Sequence, residues 1–464
     1  MKKFLIGLIA LSTMAAFAQE SSSLMQMKQV LSGKGVNTDA VIIYKDGAKI
    51  FEFYGREYDA SKKHLSWSMA KSIAGILIGQ AISEGKISLN DRIDKYFPDF
   101  KTDATVENVL NMSSGLKFKE EYSGIPVDSD ATKMLYLIGP KASFAQYVNS
   151  LPVKNEAIPG KHFYYSSGDT NLLMEILKKV SQTQEEYNQY PWKKLFNPLG
   201  IKDATFEQDS SGTFVGSSYV YLSPDDFLKI GQLLMQNGVW NGTQIIPKDY
   251  LTLMKEVAPG VNEHALEGTS QTRSYSSQIT TNLPIEGRGL PSEYMDLPQD
   301  ALLMIGHQGQ LVVASPSQKL VIVRLAMDKG TSFDRKLFFN LVSKIIREKG
   351  LNLVTAGDNG QNSNTPLPAS NKKKGKTKMV DYLKIPHLIR AMAAKEYCSC
   401  MLVIGRSKEA CREDLKVSLP ILPKLKISKD KKYVTASLGT GLLGKISRAE
   451  FKSKELGCTL VESK

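Results

Sequence analysis

Ser68 and Lys71 have the residue types and the spacing for nucleophilic catalysis. They lie in the segment SWSMAKSIAGILIGQ, in which a polar stretch is followed by apolar residues at helical spacing. We therefore predict a helix that begins near Ser68, with Lys71 one turn later on the same face. A serine hydroxyl is a weak nucleophile until a base removes its proton. A lysine at this spacing can reach the hydroxyl, and a helix N-terminus favours negative charge there.

The bare Ser-x-x-Lys pattern is not specific, because it recurs at Ser83, Ser114, Ser370 and Ser428. Those copies are most simply solvated serines and lysines, whereas the Ser68 copy opens a long apolar segment. Other catalytic signatures are absent from the sequence, which has no Gly-x-Ser-x-Gly elbow, no His-Glu-x-x-His and no phosphate-binding loop. Nothing in the sequence requires a metal, a nucleotide or another cofactor.

The N-terminus has the pattern of an export signal. Lys2 and Lys3 precede an apolar run over residues 4–17, and a small-x-small cleavage site stands before Gln19. We predict a signal peptide over residues 1–18 and a periplasmic or secreted protein. The alternative is an uncleaved membrane anchor, which the shortness of the run disfavours. No later segment is long and apolar enough to span a membrane.

Positive charge is concentrated at the C-terminal end. Residues 371–464 hold 22 lysines and arginines against 9 acidic residues, a net charge of +13, so the rest of the chain is neutral. A polar, Gly-, Asn- and Lys-rich stretch over residues 355–378 predicts a flexible linker. Residues 379–464 are then a small basic domain. It either contacts anionic envelope polymers or presents a solvated basic surface, and export argues against nucleic acid as its partner.

All four cysteines, Cys398, Cys400, Cys411 and Cys458, lie in that basic domain. In an oxidising compartment an even number of cysteines in a small domain indicates disulfides. Three pairings are possible, of which we favour Cys398 with Cys458 and Cys400 with Cys411. A zinc site is the alternative, but the Cys-Ser-Cys spacing and the lack of a close histidine disfavour it.

The pattern of apolar and turn residues predicts the main elements. A hairpin is expected over residues 39–54, with its turn at Lys45-Asp46-Gly47. Strands are predicted at 300–306, 310–314 and 319–326, and helices at 105–116, 171–182 and 334–349. A further helix is predicted within 221–238, with Ser223 as its cap, Pro224 in its first turn and Gly238 after its end. In the basic domain we predict short strands within 398–407, 424–437 and 457–462, and a helix near 406–416.

Four motifs in order make the sequence resemble a known family. They are Ser-Met-Ala-Lys at 68–71, VLNMSSGL at 109–116, PGKHFYYSSGDTNLLMEIL at 159–177 and GHQGQLVVASPSQKLVIVRL at 306–325. Together they resemble the serine hydrolases related to class C β-lactamases and DD-peptidases, a group that includes esterases and 6-aminohexanoate-dimer hydrolases. The resemblance implies an α+β fold, in which an antiparallel sheet carries helices on both faces beside an all-helical part. The hydrolase domain would span residues 19–354.

The resemblance also implies roles for individual residues. Ser68 would be the nucleophile that forms an acyl-enzyme, and Lys71 would keep the site positive and help to remove the hydroxyl proton. Tyr165 matches the tyrosine of the family's Tyr-x-Asn motif and would act as general base towards Ser68. Its structural alternative is a core aromatic, because Phe163 and Tyr164 adjoin it.

His307 and Gly309 match the ends of the family's Lys-Thr-Gly motif. By the resemblance, His307 would donate to a substrate carboxylate or to Tyr165, and Gly309 would let substrate approach the strand edge. The backbone N–H groups of Ser68 and Gln310 would form an oxyanion hole. A lone histidine is, however, more often structural than catalytic.

Two departures from the family pattern bear on the substrate. Ser167 stands where class C β-lactamases carry asparagine, and the lysine of Lys-Thr-Gly is absent. Both losses disfavour an efficient β-lactamase and favour an amidase, peptidase or esterase, with Ser167 either a substrate contact or a helix cap. We expect an exported serine hydrolase that cleaves an amide or ester, with a catalytically weak penicillin-binding-like or envelope-binding module as the alternative.

Overall fold

A seven-stranded antiparallel sheet forms the centre of the fold. In spatial order its strands are β2 (Ala48–Tyr54), β1 (Thr38–Lys45), β12 (Leu320–Ala326), β11 (Leu311–Ser315), β10 (Leu302–Ile305), β9 (Ile279–Thr281) and β8 (Ser274–Ser276). β1 and β2 are the predicted hairpin, and β1 also pairs with β12. The sheet therefore joins the two ends of the predicted hydrolase domain.

The computed structural model describes residues 22–121, 127–138, 143–154, 157–263, 273–360, 384–439 and 445–462. The predicted signal peptide, residues 1–18, lies outside these ranges, as does most of the predicted linker. The first residues of that linker, 355–360, are described and form a turn bonded to Leu297 and Met295. Within the described ranges, every helix is too short or too polar to cross a membrane.

Helices cover both faces of the sheet, as predicted. α1 (Ser22–Leu31) and α11 (Arg335–Glu348) share one apolar cluster with residues such as Val41 and Ile322. α8 (Pro224–Met235) packs on the opposite face against β11 and β12. Successive residues of a strand point to opposite faces, and this alternation supplies both clusters.

The remaining helices of the hydrolase part form its all-helical region, and the remaining short strands lie in the connections. The helices are α2 (Ala70–Ser83), α3 (Val106–Leu110), α4 (Asp130–Thr132), α5 (Phe144–Ser150), α6 (Ser167–Val180), α7 (Gln184–Pro191), α9 (Lys248–Met254) and α10 (Pro259–Glu263). The strands are β3 (His64–Leu65), β4 (Thr205–Phe206), β5 (Val220–Leu222), β6 (Val239–Trp240) and β7 (Thr243–Gln244). α2, which follows the nucleophile candidate, packs against α6.

The C-terminal unit combines two helices with a small sheet. α12 (Ile385–Cys398) runs into a π-helical turn over Ser399–Ile404, and α13 (Lys408–Ser418) follows. The sheet has the order β13 (Lys424–Ile427), β14 (Tyr433–Ser437), β15 (Ile446–Ser453) and β16 (Gly457–Val461). The favoured disulfide pairing is confirmed, since Cys398 bonds to Cys458 and Cys400 to Cys411.

The predicted strand within 398–407 is wrong. Its Met-Leu-Val-Ile run has high β-propensity, but the chain continues α12 into the π-helical turn, which ends at Gly405 with φ of 77°. Both disulfides begin in this segment and fix it against α13 and β16. Tertiary and covalent constraints therefore override local propensity here.

A buried ion pair joins the C-terminal unit to the hydrolase part. Lys395 of α12 donates a hydrogen bond to Glu207, and the side chains of these residues are 3% and 0% exposed. The Glu207 carboxylate also accepts from Ser399 Oγ and Cys458 N, each at 2.8 Å, and from Tyr221 at 3.1 Å. The carboxylate is thus held by donors from both parts of the chain.

Lys395→Met should lower the free energy of unfolding by about 3–5 kcal/mol, because it leaves a buried carboxylate without its cation. Urea denaturation followed by circular dichroism would measure this loss. The double variant Lys395→Met/Glu207→Gln should recover most of the stability, since it removes the uncompensated charge. A midpoint for Lys395→Met equal to that of the wild type would contradict this account.

Candidate active site

Lys71 lies at the centre of the candidate site. The chain makes a 3-10 turn over Trp67–Met69 and continues as α2, which places the Lys71 side chain beside Ser68. The ammonium is nearly inaccessible, with 1% of the residue exposed. It donates to Ser68 Oγ at 3.0 Å, to Ser167 Oγ at 2.9 Å and to the Ser217 carbonyl at 3.0 Å. These three acceptors match the three protons of an ammonium group.

Tyr165 lies on the other side of the same ammonium. Lys71 Nζ is 4.9 Å from the centre of the Tyr165 ring, a cation–π distance. Tyr165 directly precedes Ser166, the N-cap of α6, so the helix fixes its position. The ring also packs edge-to-face on Tyr275, with centroids 6.1 Å apart. Tyr165 is therefore both beside Lys71 and part of an aromatic cluster.

A cleft of about 360 Å³ opens over these residues. The predicted residues that line it are Ser68, Lys71, Tyr165 and His307. The other lining residues are Ser72, Arg273, Tyr275, Gln278, Thr280, Leu303, Ile305, Gly306 and Arg335. The structure thus brings a serine, a lysine and a tyrosine from two helix starts together with a histidine from a strand end.

Two predicted binding residues, Gly309 and Gln310, lie in or directly after the turn that follows β10 and do not line the cleft. Gly309 packs against a buried ion pair, where an added Cβ would lie 1.9 Å from an Asp328 carboxylate oxygen. Gln310 is fully buried, and its side-chain amide donates to the His307 carbonyl at 3.3 Å. Neither residue lines the cleft, so the roles assigned to Gly309 and to the Gln310 N–H stay predictions.

Gly306, which lines the cleft, allows β10 to approach the turn before Ser68 closely. A Cβ at Gly306 would lie 2.6 Å from the Ser66 carbonyl oxygen and 3.4 Å from Met69. Only glycine lets the end of β10 pack this closely against the turn that carries Ser68. Gly306 directly precedes His307, and the sequence analysis assigned no role to it.

Comparisons with known proteins identify the family of this chain. Residues 24–341, more than half of the chain, match the β-lactamase family. The chain belongs to the β-lactamase family. Members of this family are serine hydrolases, and the family match together with the similar solved structure confirms the predicted fold.

Three known proteins are similar to this chain in sequence or in fold. A 6-aminohexanoate-dimer hydrolase of Paenarthrobacter ureafaciens is 23% identical over 249 residues, which cover 51% of this chain and 61% of that protein. A proposed 6-aminohexanoate-dimer hydrolase from Bacillus anthracis superimposes with a TM-score of 0.55 at 21% identity, over 70% of this chain and 83% of the other. EstCE1, a hydrolase with promiscuous acyltransferase activity, gives a TM-score of 0.55 at 14% identity, over 70% and 97%.

Ser167, at the position of the family's asparagine, has a structural role in this β-lactamase-family site. It is fully buried at the first position of α6, where its hydroxyl accepts from Lys71 and donates to Glu120 at 2.7 Å. Its backbone N–H donates to the same carboxylate at 2.8 Å. Sequence analysis missed Glu120, which lies in a connecting segment without a motif. The Glu120 carboxylate is therefore linked to the Lys71 ammonium through the Ser167 hydroxyl.

Two arginines that no motif indicates also line the cleft. Arg335 is the first residue of α11, and Arg273 directly precedes β8, so distant parts of the chain bring them together. Burial, together with the nearby charge of Arg273, lowers the pKa of Arg335. The side chain of Arg273 lies 3.3 Å from Glu293. The cleft therefore concentrates cationic groups although the family's lysine is absent.

His307 is neutral at physiological pH. Burial, and secondarily the charge of Arg335, lowers the pKa of His307 from its ordinary value of 6.5 to about 4. Its ring packs edge-to-face on Trp67, with centroids 5.8 Å apart. A neutral imidazole can donate one hydrogen bond or accept one. It does not replace the positive charge of the missing lysine.

His307 should make folding stability depend on pH between its two pKa values. The unfolded chain binds a proton there and the folded chain does not, so stability falls as the pH drops from about 6.5 towards 4. Melting temperatures across this range should fall less steeply for His307→Gln than for the wild type. Equal slopes for the two proteins would contradict a neutral, buried His307.

Proposed function

We propose that the protein is an exported serine hydrolase that cleaves an amide or ester bond through an acyl-enzyme on Ser68. One observation carries the proposal: the buried Lys71 ammonium donates to Ser68 Oγ at 3.0 Å at the edge of the cleft. A binding module has no need for a buried cation on a serine hydroxyl. The export signal predicted from residues 1–18 and the two disulfides support an oxidising location.

The acylation step follows from the order of groups around Lys71. Ser68 Oγ bonds to the substrate carbonyl carbon while its proton passes to Tyr165, which enters the step as a phenolate beside the Lys71 ammonium. Tyr165 then delivers that proton to the leaving amine or alcohol as the scissile bond breaks. Lys71 stays protonated and stabilises the negative charge that develops between Ser68 and Tyr165. Water later attacks the ester carbonyl, returns a proton to Ser68 and releases the acid.

The arginines of the cleft favour a substrate that carries a carboxylate near the scissile bond. Arg273 and Arg335 line the same cavity as Ser68 and, unlike His307, keep their charge at neutral pH. A carboxylate bound between them would relieve their mutual repulsion. A cell-wall peptide or a small amide with a free carboxylate fits this site, and an ester is the second candidate.

The basic C-terminal unit supports a second, weaker interaction with envelope material. Lys424 and Lys426 alternate outwards along the edge strand β13, and the adjoining turn carries Lys429, Lys431 and Lys432. Such a lysine-rich edge attracts anionic polymers in a salt-dependent manner. We propose that this edge keeps the enzyme near an anionic envelope polymer.

Matched substrate pairs test the proposed function. Purified enzyme would receive 6-aminohexanoate dimer and its C-terminal amide, mono-p-nitrophenyl glutarate and p-nitrophenyl butyrate, and nitrocefin. The carboxylate member of at least one pair should be preferred about 10- to 100-fold, the range of one hydrogen bond to a charged group. Arg335→Gln should remove this preference without abolishing turnover of the neutral member.

Ser68→Ala is the control for catalysis at the predicted nucleophile. All turnover, and any acyl adduct seen by intact-protein mass spectrometry, should vanish in this variant. Silence of folded wild-type enzyme with every compound would contradict the hydrolase and favour the binding module. Equal rates for both members of every pair would remove the carboxylate-binding role while leaving Ser68 catalysis in place.

A further inference from the structure

Trp67, the residue before the nucleophile, adopts a backbone conformation that bulky side chains rarely adopt. Its φ is +46°, in the left-handed region. A conformation of this kind persists only where the surroundings hold it, and it is often part of the function of a site. The contacts of Trp67 therefore show what fixes the position of Ser68.

A chain of hydrogen bonds runs from Trp67 to the C-terminal unit. Trp67 Nε1 donates to Gln308 Oε1 at 3.0 Å, and Gln308 Nε2 donates to Ser418 Oγ at 3.4 Å. Gln308 is itself in the left-handed region, with φ of +61°. Ser418 is the last residue of α13. Two residues with left-handed backbone conformations, one next to Ser68 and one next to His307, are thus connected to the same helix.

α13 also reaches the start of the nucleophile segment. Asp414 accepts from Arg56 Nη1 at 2.7 Å, and the same guanidinium donates from Nε to the buried carboxylate of Asp39 at 2.7 Å. Asp39 in turn lies 2.9 Å from Nε2 of His64, the first residue of β3. β3 leads directly to Trp67 and Ser68. Hydrogen bonds therefore connect α13 to both ends of this short segment, through Arg56 and Asp39 at one end and through Gln308 at the other.

Packing alone does not fix Trp67 on this side. A cavity of about 60 Å³ separates α13 from the segment, and it is bordered by Trp67, His64, Leu415 and Leu419 among others. An indole beside free space can shift unless its N–H is bonded. Cys411, within α13, is tied through Cys400 to the preceding turn, which holds the helix in place.

We propose that α13 positions the nucleophile, with Gln308 and Ser418 as positioning residues that act through Trp67. The C-terminal unit then sets the rate of attack by Ser68 in addition to stabilising the fold. This inference rests on the proposed function, because it concerns the reactivity of Ser68. α13 thus affects the rate of attack by Ser68 without contacting the substrate.

The rate of covalent labelling of Ser68 by a fluorophosphonate isolates the nucleophilic step. Ser418→Ala and Trp67→Phe each remove one bonding group from the chain and should each slow labelling about three- to tenfold, as expected for one hydrogen bond. The double variant should be no slower than the slower single variant, since both act through Gln308. Ser418→Thr, which keeps the hydroxyl, should label at the wild-type rate.

Lys416→Ala is the matched control, because Lys416 lies on the same helix with an exposed side chain. It should label at the wild-type rate, and all variants should melt within a few degrees of the wild type. Wild-type labelling at Ser68 with unchanged rates in Ser418→Ala and Trp67→Phe would overturn this inference alone, as would strictly additive losses. Failure of the wild type to label at Ser68 would instead overturn the proposed function.

Discussion

The buried Lys71 ammonium is the interaction on which the candidate site depends. A charge removed from water is tolerated only when hydrogen bonds replace its hydration. Lys71 obtains them from three segments: the turn before α2, the start of α6 and the Ser217 carbonyl. The fold must therefore bring an acceptor from each of these segments to 2.9–3.0 Å from the Lys71 ammonium. In the proposed mechanism, Ser68 is activated by the same contact that holds these segments together.

The charge balance around this cation distinguishes the protein from the family pattern. Glu120 lies behind Ser167 and supplies negative charge on the far side of Lys71. In the cleft, His307 stays neutral because it is buried beside Arg335, and the arginines carry the positive charge that a lysine would normally provide. The positive charge of this cleft thus comes from arginines at the starts of β8 and α11, and not from the position of the family's Lys-Thr-Gly lysine.

The sequence was informative wherever the determinants are local. The Asp46-Gly47 turn, the start of α8 at Ser223 and Pro224 and the buried, mostly apolar run of β12 are each determined by neighbouring residues, and the structure has each of them. Ser68 and Lys71 were predicted from their residue types and their place before an apolar helix, and Tyr165 and His307 from the resemblance to the family. All four line the cleft, and their catalytic roles stay predictions.

Residues whose position depends on tertiary packing could not be found in this way. Arg273, Arg335 and Glu120 lie in segments without a motif, and only the folded chain brings them to the site. The run at 401–404 has the composition of a strand, yet two disulfides hold it in a helical turn. The sequence predicted a separate small basic domain after a linker, because it cannot show that Lys395 pairs with the distant, buried Glu207.

The most direct test of the account is the fluorophosphonate labelling rate of Lys71→Met, a variant of similar volume that lacks the ammonium. Peptide mapping would locate the adduct, and circular dichroism would establish that the variant is folded. We predict that labelling at Ser68 slows by about 10²- to 10⁴-fold, the usual contribution of a group that assists proton transfer. Labelling of folded Lys71→Met at the wild-type rate would contradict the claim that Lys71 activates Ser68.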